Sequence, residues 1–528
     1  MPKTDLPAFL EAHVKTVEPL LRNINLAYWD ATISGAPADF EHYAALLLDL
    51  QKIYSNPTEF DLVRKWKNDP RITNPLERRQ IDLLYDDYLR NQIDPVLNET
   101  ITKLASKIEN QFSVYRATLD GRTVTTNDIL EILVASDDAA LKKRAWQAGK
   151  DVAGVVEKDL LTLVRLRNEA AESLGYDNFY SMSLDLNEQS EDAVVALFEE
   201  IDQRTREPFE TLKAEIDDRV AARYSVRTAD LRPWHYDDLY FQEAPRVLDV
   251  DLDQYYAGND ILEVVSRFYG GIGLDVGDIL ARSDLYEKPG KDQHAYCTDI
   301  DRRGDIRILA NIKSNETWMG TMLHELGHGV YDKYIDRALP YLLRHEAHIL
   351  TTEAVAMMFG RLSKDAIWIR DAVGVTEEEA EDVRGKLVRH TRIAQLIFAR
   401  WALVMMNFER ALYMNPEQDL NRLWWSLAER YQAVTPPPDR DFPDWAAKNH
   451  IVSAPVYYHN YLLGEILASQ LTHFIRANVL APNHRDRSFC GQPEVGEYLK
   501  QHVFKPGARM HWDTMILTPA YFVRQFVD

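Results

Sequence analysis

The chain has 528 residues, 46% of them hydrophobic, and a net charge of -22 from 83 acidic and 61 basic side chains. This composition is typical of a globular protein with a large core, and it excludes a disordered chain. The excess of negative charge argues against a surface that neutralises phosphates, so nucleic acid is not expected as a partner.

The sequence also argues against a membrane protein. No segment reaches the roughly 20 apolar residues that a membrane span needs, and the first residues lack the apolar core of a secretory signal. Cys297 and Cys490 are the only cysteines, which argues against a disulfide framework. We therefore predict a cytoplasmic protein with no membrane partner; a periplasmic location would require that a signal peptide had been removed. The sequence predicts no oligomeric state.

Most of the chain has the apolar spacing of helices. Residues 159–175, D-L-L-T-L-V-R-L-R-N-E-A-A-E-S-L-G, carry apolar side chains three to four positions apart and end at Gly175, as a helix does. We predict a mainly α fold. A soft boundary near residue 150 separates an N-terminal helical region, 1–150, from a larger helical region, 151–528, and the two are expected to form one continuous unit.

One segment departs from the helical pattern. Residues 294–300, H-A-Y-C-T-D-I, and 306–312, I-R-I-L-A-N-I, are rich in strand-forming side chains. The residues between them, D-R-R-G-D, contain a glycine and have the composition of a turn. A small antiparallel hairpin is therefore predicted immediately before residue 321.

The next segment, T-M-L-H-E-L-G-H-G-V at 321–330, contains two histidines four residues apart. On a helix this spacing places His324 and His328 on one face, where both imidazoles can bind one ion at about 2.0 to 2.1 Å. The pattern H-E-x-x-H is the zinc peptidase signature, in which the glutamate, here Glu325, is the general base. The alternative interpretation is a helix whose histidines make ordinary hydrogen bonds.

A catalytic zinc needs a third protein ligand. The metzincin extension would place glycine and histidine where this chain has Tyr331 and Tyr334, so that class is excluded. The downstream candidates are His345, Glu346, His348 and Glu353. Glu353 lies in the apolar segment T-T-E-A-V-A-M-M-F-G, where a buried carboxylate would need a cation. An acid in a first helical turn after a threonine cap is an equally open interpretation of this residue.

With these residues the sequence resembles the angiotensin-converting-enzyme-like peptidyl-dipeptidases, gluzincins that are related to the thimet-type oligopeptidases. In that family a glutamate some twenty-five residues after the second histidine completes the zinc site, and Glu353 matches it. The resemblance implies one Zn²⁺ ion held by His324, His328 and Glu353, and oligopeptides as substrates. It also implies a large helical fold of two lobes with a deep central cleft and a small β-hairpin beside the zinc helix.

The resemblance covers about residues 150–470 and includes further motifs. His294-Ala295 stands thirty positions before His324, like the His-Ala strand of the family, and W-W-S-L-A-E-R-Y-Q at 424–432 is similar to the family's W-W-x-L-R-x-K-Y-Q. The resemblance implies that His294 contacts the substrate and that the carbonyl of Ala295 helps to hold the scissile amide.

Two more motifs follow near residue 450. Lys448-Asn-His450 and Y-Y-H-N-Y at 457–461 resemble the family's Lys-x-His and Tyr-x-x-Tyr, with one extra residue between them. The resemblance implies that Lys448 and Tyr458 bind the terminal carboxylate of the substrate. It further implies that His450 and Tyr461 face the reacting carbonyl.

The sequence departs from the family at several positions. Met357 replaces an aspartate that orients a zinc histidine, so this support must come from another residue. Gln242 is a candidate for a family glutamine that joins the carboxylate grip.

Other departures concern anions and crosslinks. Ala428 and Asn460 replace arginines that hold chloride in animal relatives, which implies an absent or weak chloride response. Gln293 and Asn311 stand where extracellular relatives carry a disulfide, in agreement with a cytoplasmic protein.

Three functions compete on this basis: a zinc-dependent peptidyl-dipeptidase, an endo-acting oligopeptidase of the same fold, and a non-catalytic peptide-binding scaffold. Lys448 and Tyr458 favour the first, because an endopeptidase needs no carboxylate clamp. The scaffold is disfavoured because both histidines and both glutamates of the zinc site are present. We expect release of C-terminal dipeptides from unstructured peptides, which would pair with the exposed edge of the hairpin.

Overall fold

The structure, a computed structural model, describes residues 5–247, 251–482, 488–515 and 517–527. It confirms the mainly α fold. The α-helices are α1 Leu6–Ser34, α2 Pro37–Tyr54, α3 Pro57–Lys67, α4 Pro75–Leu89, α5 Pro95–Val114, α6 Thr126–Ala135, α7 Ala139–Lys150, α8 Val152–Ser173, α9 Phe179–Asp185, α10 Glu191–Tyr224, α11 Asp253–Tyr256, α12 Ile261–Gly271, α13 Gly277–Arg282, α14 Glu316–Tyr334, α15 Ile349–Gly360, α16 Ala366–Trp368, α17 Glu377–Met414, α18 Leu420–Gln432, α19 His450–Ser453, α20 His459–Phe474, α21 Pro493–Leu499 and α22 Ala520–Phe526. The strands are β1 Ala117–Leu119, β2 Arg122–Val124, β3 Tyr296–Asp299 and β4 Ile306–Leu309.

The chain divides into two compact units, each built from three segments. Unit 1 consists of Met1–Gln92, Val250–Leu387 and Leu463–Thr518. Unit 2 consists of Ile93–Asp249, Val388–Leu462 and Pro519–Asp528. The units therefore do not follow the soft boundary near residue 150, which lies within unit 2, because each of them joins segments that are far apart in sequence. The deep cleft expected from the family stays a prediction.

Unit 1 contains the predicted hairpin and the helix that follows it. β3 and β4 pair antiparallel, with Cys297 opposite Ile308. Gly304, in the turn between them, has φ +114°, a conformation that side chains disfavour. The isoleucines and leucine of β4 are buried, so this strand packs on the core. The hairpin predicted from 294–312 is confirmed.

Helices α14 and α15 form the centre of unit 1. Asn315 caps α14, since its side chain accepts a hydrogen bond from the amide of Trp318 at 3.0 Å. The buried residues of α14 are Met319, Met322, Leu323, Glu325, Leu326, Gly327, Gly329, Val330 and Tyr331. Those of α15 are Leu350, Thr351, Thr352, Ala354, Val355, Ala356, Met358 and Phe359. Two helices with such apolar faces are stable only when packed together and covered.

Unit 2 has a core of its own, in which α10 packs against the second half of α17. Its buried residues include Phe209, Ile216, Leu396 and Ile397. Helix α8 contains the segment predicted as helical from 159–175; it ends at Ser173, and Gly175 follows with φ +91°. That prediction is confirmed.

Strands β1 and β2 form a second hairpin that the sequence analysis did not identify. Its turn is Asp120-Gly121, and both residues have positive φ. The Asp-Gly pair is a common signal for such a turn, so the sequence contained it. In the ranges given above, no helix combines the length and the apolar character needed to cross a bilayer.

Candidate metal centre and substrate-binding residues

Three side chains of unit 1 converge as metal ligands would. The Nε2 atoms of His324 and His328 lie 3.2 Å apart, and Glu353 Oε2 lies 3.7 Å from the first and 4.0 Å from the second. The point in their plane that is equally distant from all three atoms lies about 2.1 Å from each of them. This distance is the length of a zinc bond to nitrogen or oxygen. Among the described residues, no other group of three His, Cys, Asp or Glu side chains meets in this way.

The ligands meet because α14 and α15 approach closely at Gly327. A Cβ atom on this residue would lie 2.7 Å from Ala356 Cα and 3.2 Å from Ala356 N. These are backbone atoms, which cannot move aside as a flexible side chain can. The absence of a side chain at Gly327 therefore brings His324 and His328 within reach of Glu353.

Of the four candidates for the third ligand, only Glu353 lies with the two histidines. Helix α15 is capped by His348, whose Nδ1 accepts a hydrogen bond from the amide of Leu350 at 3.1 Å. Glu353 lies in the second turn, and the first turn contains no acid. The interpretation of Glu353 as a first-turn acid after a threonine cap is therefore wrong. His345, Glu346 and His348 are not part of the converging group.

The ionisation of the group suits a cation. Burial lowers the pKa of His324 to about 4 and that of His328 to about 3, the neighbouring imidazole of His324 adding to the second shift. Both rings are therefore neutral, and only the neutral ring can ligate through Nε2. Burial, followed by the charge of Glu353, raises the pKa of Glu325 to about 8, and the amide of Cys297 on β3 partly opposes this shift. A cation at the ligands would favour the charged carboxylate.

His328 has a hydrogen-bond partner that no sequence motif indicated. His328 Nδ1 lies 2.7 Å from the hydroxyl of Thr352, a side chain that is 6% exposed. If Nδ1 donates this hydrogen bond, Nε2 carries the lone pair that a metal needs. In that tautomer Thr352 would orient His328, the task that an aspartate at the position of Met357 has in the family.

The predicted His-Ala pair lies at the start of β3, in unit 1. His294 is exposed and Ala295 is half-buried, and both directly precede the strand. In the described ranges β3 pairs with β4 alone, whereas β4 also makes a bridge between Leu309 and Asp284. On the side away from β4, the carbonyl of Asp299 accepts a hydrogen bond from Asn25 at 3.1 Å and the amide of Cys297 binds Glu325, so peptide binding at the edge near His294 and Ala295 stays a prediction.

The residues predicted to hold a carboxylate lie together in unit 2. Lys448 Nζ donates to Gln242 Oε1 at 2.9 Å, and the hydroxyl of Tyr458 lies 3.5 Å from the same oxygen. That hydroxyl accepts a hydrogen bond of 2.6 Å from Trp401 Nε1. Gln242, which the sequence offered only as a candidate, is therefore part of this group.

The ammonium group of Lys448 is surrounded by aromatic rings. It lies 5.0 Å from the ring centre of Tyr240 and 5.2 Å from those of Trp401 and Tyr458. Burial lowers the pKa of Lys448 to about 8, although Asp238 and Glu243 oppose the shift. Within the described part of the chain no acidic side chain forms an ion pair with Lys448. A ligand carboxylate would supply a direct ion-pair partner for the ammonium group.

His450 and Tyr461 belong to the same group. The ring of Tyr458 packs edge-on against His450, with 5.2 Å between the ring centres, and against Tyr461, with 5.3 Å. Burial, followed by the charge of Lys448, lowers the pKa of His450 to about 4. His450 is therefore neutral and can donate one hydrogen bond at neutral pH.

The two positions that hold chloride in animal relatives contain no cation. Asn460 is buried, and its Oδ1 accepts a hydrogen bond of 2.7 Å from Gln189, which also lies 2.7 Å from Nε2 of His459. Ala428 is buried on α18. The side chains of Asn460, Gln189 and His459 are thus joined by hydrogen bonds to one another. The absent or weak chloride response stays a prediction.

The positions that carry a disulfide in extracellular relatives are joined differently here. The buried side chain of Asn311 donates to the carbonyl of Asp292 at 2.9 Å and to that of Gln293 at 3.4 Å. A side-chain amide therefore ties the start of the hairpin to its end without a covalent bond.

Comparison with known proteins finds relatives that match most of the chain. A sequence model described as angiotensin-converting enzyme, of the Peptidase M2 family, matches residues 3–232 and 243–519. The angiotensin-converting enzyme of Theromyzon tessulatum is 23% identical over 502 residues, which are 85% of this chain and 78% of that protein. The enzyme of Mesocricetus auratus is 23% identical over 507 residues, which are 88% of this chain and 37% of that protein. An angiotensin-converting enzyme-like protein of Mus musculus is 23% identical over 381 residues, 65% of this chain and 50% of that protein.

The family match extends over far more of the chain than the motifs from which the resemblance was drawn. It confirms the enzyme class and the zinc peptidyl-dipeptidase activity that the resemblance implied, and it does not favour the two alternatives. The chain belongs to the Peptidase M2, or angiotensin-converting enzyme, family and is a metallopeptidase.

Proposed function

We propose that the protein removes dipeptides from the C-terminus of short unstructured peptides, using one zinc ion held by His324, His328 and Glu353. The observation that carries this proposal is the convergence of three ligand atoms on a circle of about 2.1 Å radius, with two imidazoles that are neutral. Membership of a zinc-dependent family supports the choice of metal.

The remaining residues supply proton transfer and charge stabilisation. When bound, zinc lowers the pKa of water and polarises the peptide carbonyl. Glu325 takes a proton from the attacking water and returns it to the departing amine. The imidazole of His450 and the hydroxyl of Tyr461 donate hydrogen bonds to the oxygen of the reacting carbonyl, where such donors are worth a few kcal/mol each when held in place.

Substrate length follows from where the peptide is held. Lys448, Tyr458 and Gln242 bind the terminal carboxylate, while the hairpin edge at His294 and Ala295 binds the main chain near the scissile bond. A peptide that engages both groups is cut at one distance from its end, and we infer that this distance is two residues. The charged hydrogen bond to the carboxylate contributes roughly 1.5 to 3 kcal/mol.

Mass spectrometry of the products from one unblocked peptide of about ten residues tests this proposal. We expect a dipeptide and an eight-residue remainder as the first products, and slow cleavage of the same peptide with an amidated C-terminus. Lys448→Ala should lower kcat/KM for the free acid on the order of ten- to a hundredfold and leave the amide nearly unaffected. Lys158→Ala, a change at an exposed lysine of unit 2, is the matched control.

Cleavage of both peptides at internal bonds at equal rates would replace the proposal by an endo-acting oligopeptidase. The metal assignment is tested separately with Glu325→Gln. This variant should bind zinc as the wild type does and lose most of its turnover, because the base is removed and the ligands remain.

We also propose that the protein acts in a reducing compartment, the cytoplasm. Both cysteines are free thiols, and burial raises the pKa of Cys490 to about 11 and holds that of Cys297 well above its ordinary value. Thiols of high pKa are poor nucleophiles and do not readily form disulfides. Fractionation of cells that express the full-length chain tests this location, and recovery in the periplasm or the medium would contradict it.

A further inference from the structure

The turn before Tyr458 has an unusual backbone. It lies in the segment where this sequence has one residue more than the family pattern between Lys-x-His and Tyr-x-x-Tyr. Val456, two residues before Tyr458, is buried and has φ +55°. A β-branched residue in this left-handed region is a true outlier, and such conformations persist only where the surroundings hold them.

A buried carboxylate holds this residue. Glu409, on α17, is 3% exposed, and its Oε1 accepts a hydrogen bond of 2.7 Å from the amide of Val456. Burial raises the pKa of Glu409 to about 7, while the amide of Val456 and the charge of Arg167 lower it. Burial of the Glu409 carboxyl group therefore costs free energy, and the group accepts a hydrogen bond from one main-chain amide.

A buried guanidinium holds the other end of the same turn. Arg167, on α8, is 5% exposed and donates to the carbonyls of Ile451 and Val452, both at 2.9 Å. It also donates to the hydroxyl of Tyr413 at 3.0 Å. These two carbonyls directly follow His450, so the turn is held by an arginine at its start and by Glu409 near its end.

We propose that Glu409 is a positioning residue for substrate binding: by holding Val456 in its left-handed conformation, it places Tyr458 beside Lys448. If φ of Val456 returned to the ordinary negative region, the chain would change direction two residues before Tyr458. The hydroxyl of Tyr458 would then lose its contact with Trp401 and with the carboxylate group of the substrate. This inference rests on the proposed carboxylate clamp.

Three substitutions separate positioning from a general role in folding. Glu409→Leu removes the acceptor at similar volume, and Glu409→Gln keeps an acceptor oxygen. Val456→Gly removes the strain, so the turn can form without help from Glu409. If Glu409 only fills the core, Val456→Gly removes further packing and cannot restore what Glu409→Leu has lost.

The measurement is KM and kcat on the free-acid and amidated peptides. Glu409→Leu should raise KM for the free acid about tenfold with little change in kcat and no change for the amide, and Glu409→Gln should stay within about threefold of the wild type. Adding Val456→Gly to Glu409→Leu should restore KM to within about threefold. If Glu409→Leu does not fold, Glu409→Asp replaces it, because the shorter side chain withdraws the acceptor and keeps the charge.

An unchanged preference for free acids in the Glu409 variants, or no recovery with Val456→Gly, would overturn the inference. If the wild type itself shows no preference for free acids, the proposed clamp fails instead. In that case, urea unfolding tests whether Glu409 holds Val456 in its left-handed conformation. Val456→Gly should raise the urea concentration at the midpoint of unfolding more in the Glu409→Leu variant than in the wild type. Equal changes of this midpoint would refute the role of Glu409.

Discussion

Gly327→Ala tests whether the close approach of two helices creates the metal centre. A methyl group at this position would lie 2.7 Å from Ala356 Cα, whereas carbon atoms in contact prefer about 3.5 to 4.0 Å. Helices α14 and α15 must therefore separate by about 0.8 Å or more. Because His324 and His328 lie on one helix and Glu353 on the other, this separation acts directly on the ligand set.

Gly327→Ala should lower both the folding stability and the zinc affinity. Overpacking of a core costs about 1 to 3 kcal/mol, which the better helix propensity of alanine offsets by up to about 1 kcal/mol. Metal sites tolerate errors of about 0.2 Å in ligand distance, so a displacement of about 0.8 Å should lower zinc affinity by more than tenfold. A tenfold loss of affinity corresponds to about 1.4 kcal/mol, which is similar to the net loss of folding stability, so the two effects must be measured separately.

Competition with a chromophoric chelator measures zinc affinity, and urea unfolding of the metal-free protein measures stability. Gly329→Ala, on the same helix, is the matched control. Its Cβ would first meet Ile279 Cδ1 at 3.2 Å, the end of a side chain that can rotate away, so zinc affinity should be unchanged. If Gly327→Ala binds zinc within about threefold of the wild type, the close approach is not what brings the ligands together.

Thr352, Lys448 and Asn311 each make a contact whose effect can be measured. Thr352→Val should weaken zinc binding about ten- to a hundredfold in the chelator assay, whereas Thr352→Ser, which keeps the hydroxyl, should not; equal affinities would remove its role. Lys448 binds a carboxylate only when it is protonated, and its pKa is lowered to about 8. The kcat/KM for free-acid peptides should therefore fall as the pH rises through about 8, while the kcat/KM for amidated peptides should not. Parallel pH profiles for the two peptides would contradict the clamp. The double substitution Gln293→Cys and Asn311→Cys should form a disulfide. In oxidising buffer it should raise the free energy of unfolding by about 3 kcal/mol, with no gain after reduction. Failure to crosslink would show that the two backbones are not held as close as the Asn311 hydrogen bonds indicate.

The part of the site that sequence could predict is local. His324, His328 and Glu325 lie on one helix, where spacing alone places two imidazoles on one face, and the hairpin before them has a turn with a glycine. Glu353 needed a family resemblance, because spacing along the chain does not say which of four candidates will face the histidines.

What could not be predicted depends on contacts between distant segments. Gln242 reaches Lys448 over 206 positions, and no local pattern marks a glutamine for that role. In the sequence, nothing distinguishes Thr352 from other threonines in helices, because its contact with His328 depends on how two helices pack. The hydrogen bond between Glu409 and Val456 spans 47 positions, and it depends on a backbone angle that sequence does not reveal. The two compact units escaped prediction for the same reason, since each combines three separated segments.

The grouping of Lys448, Gln242 and Tyr458 has a consequence for how a long peptide is degraded. If this group binds the terminal carboxylate as proposed, it finds the same feature again after every cut, because hydrolysis leaves a new carboxylate on the shortened peptide. Degradation then proceeds as a ladder of fragments that differ by two residues, so whether a peptide has an even or an odd number of residues decides what remains at the end. Each released dipeptide also carries the recognised carboxylate, so the accumulating product competes with the substrate and slows the reaction as it advances.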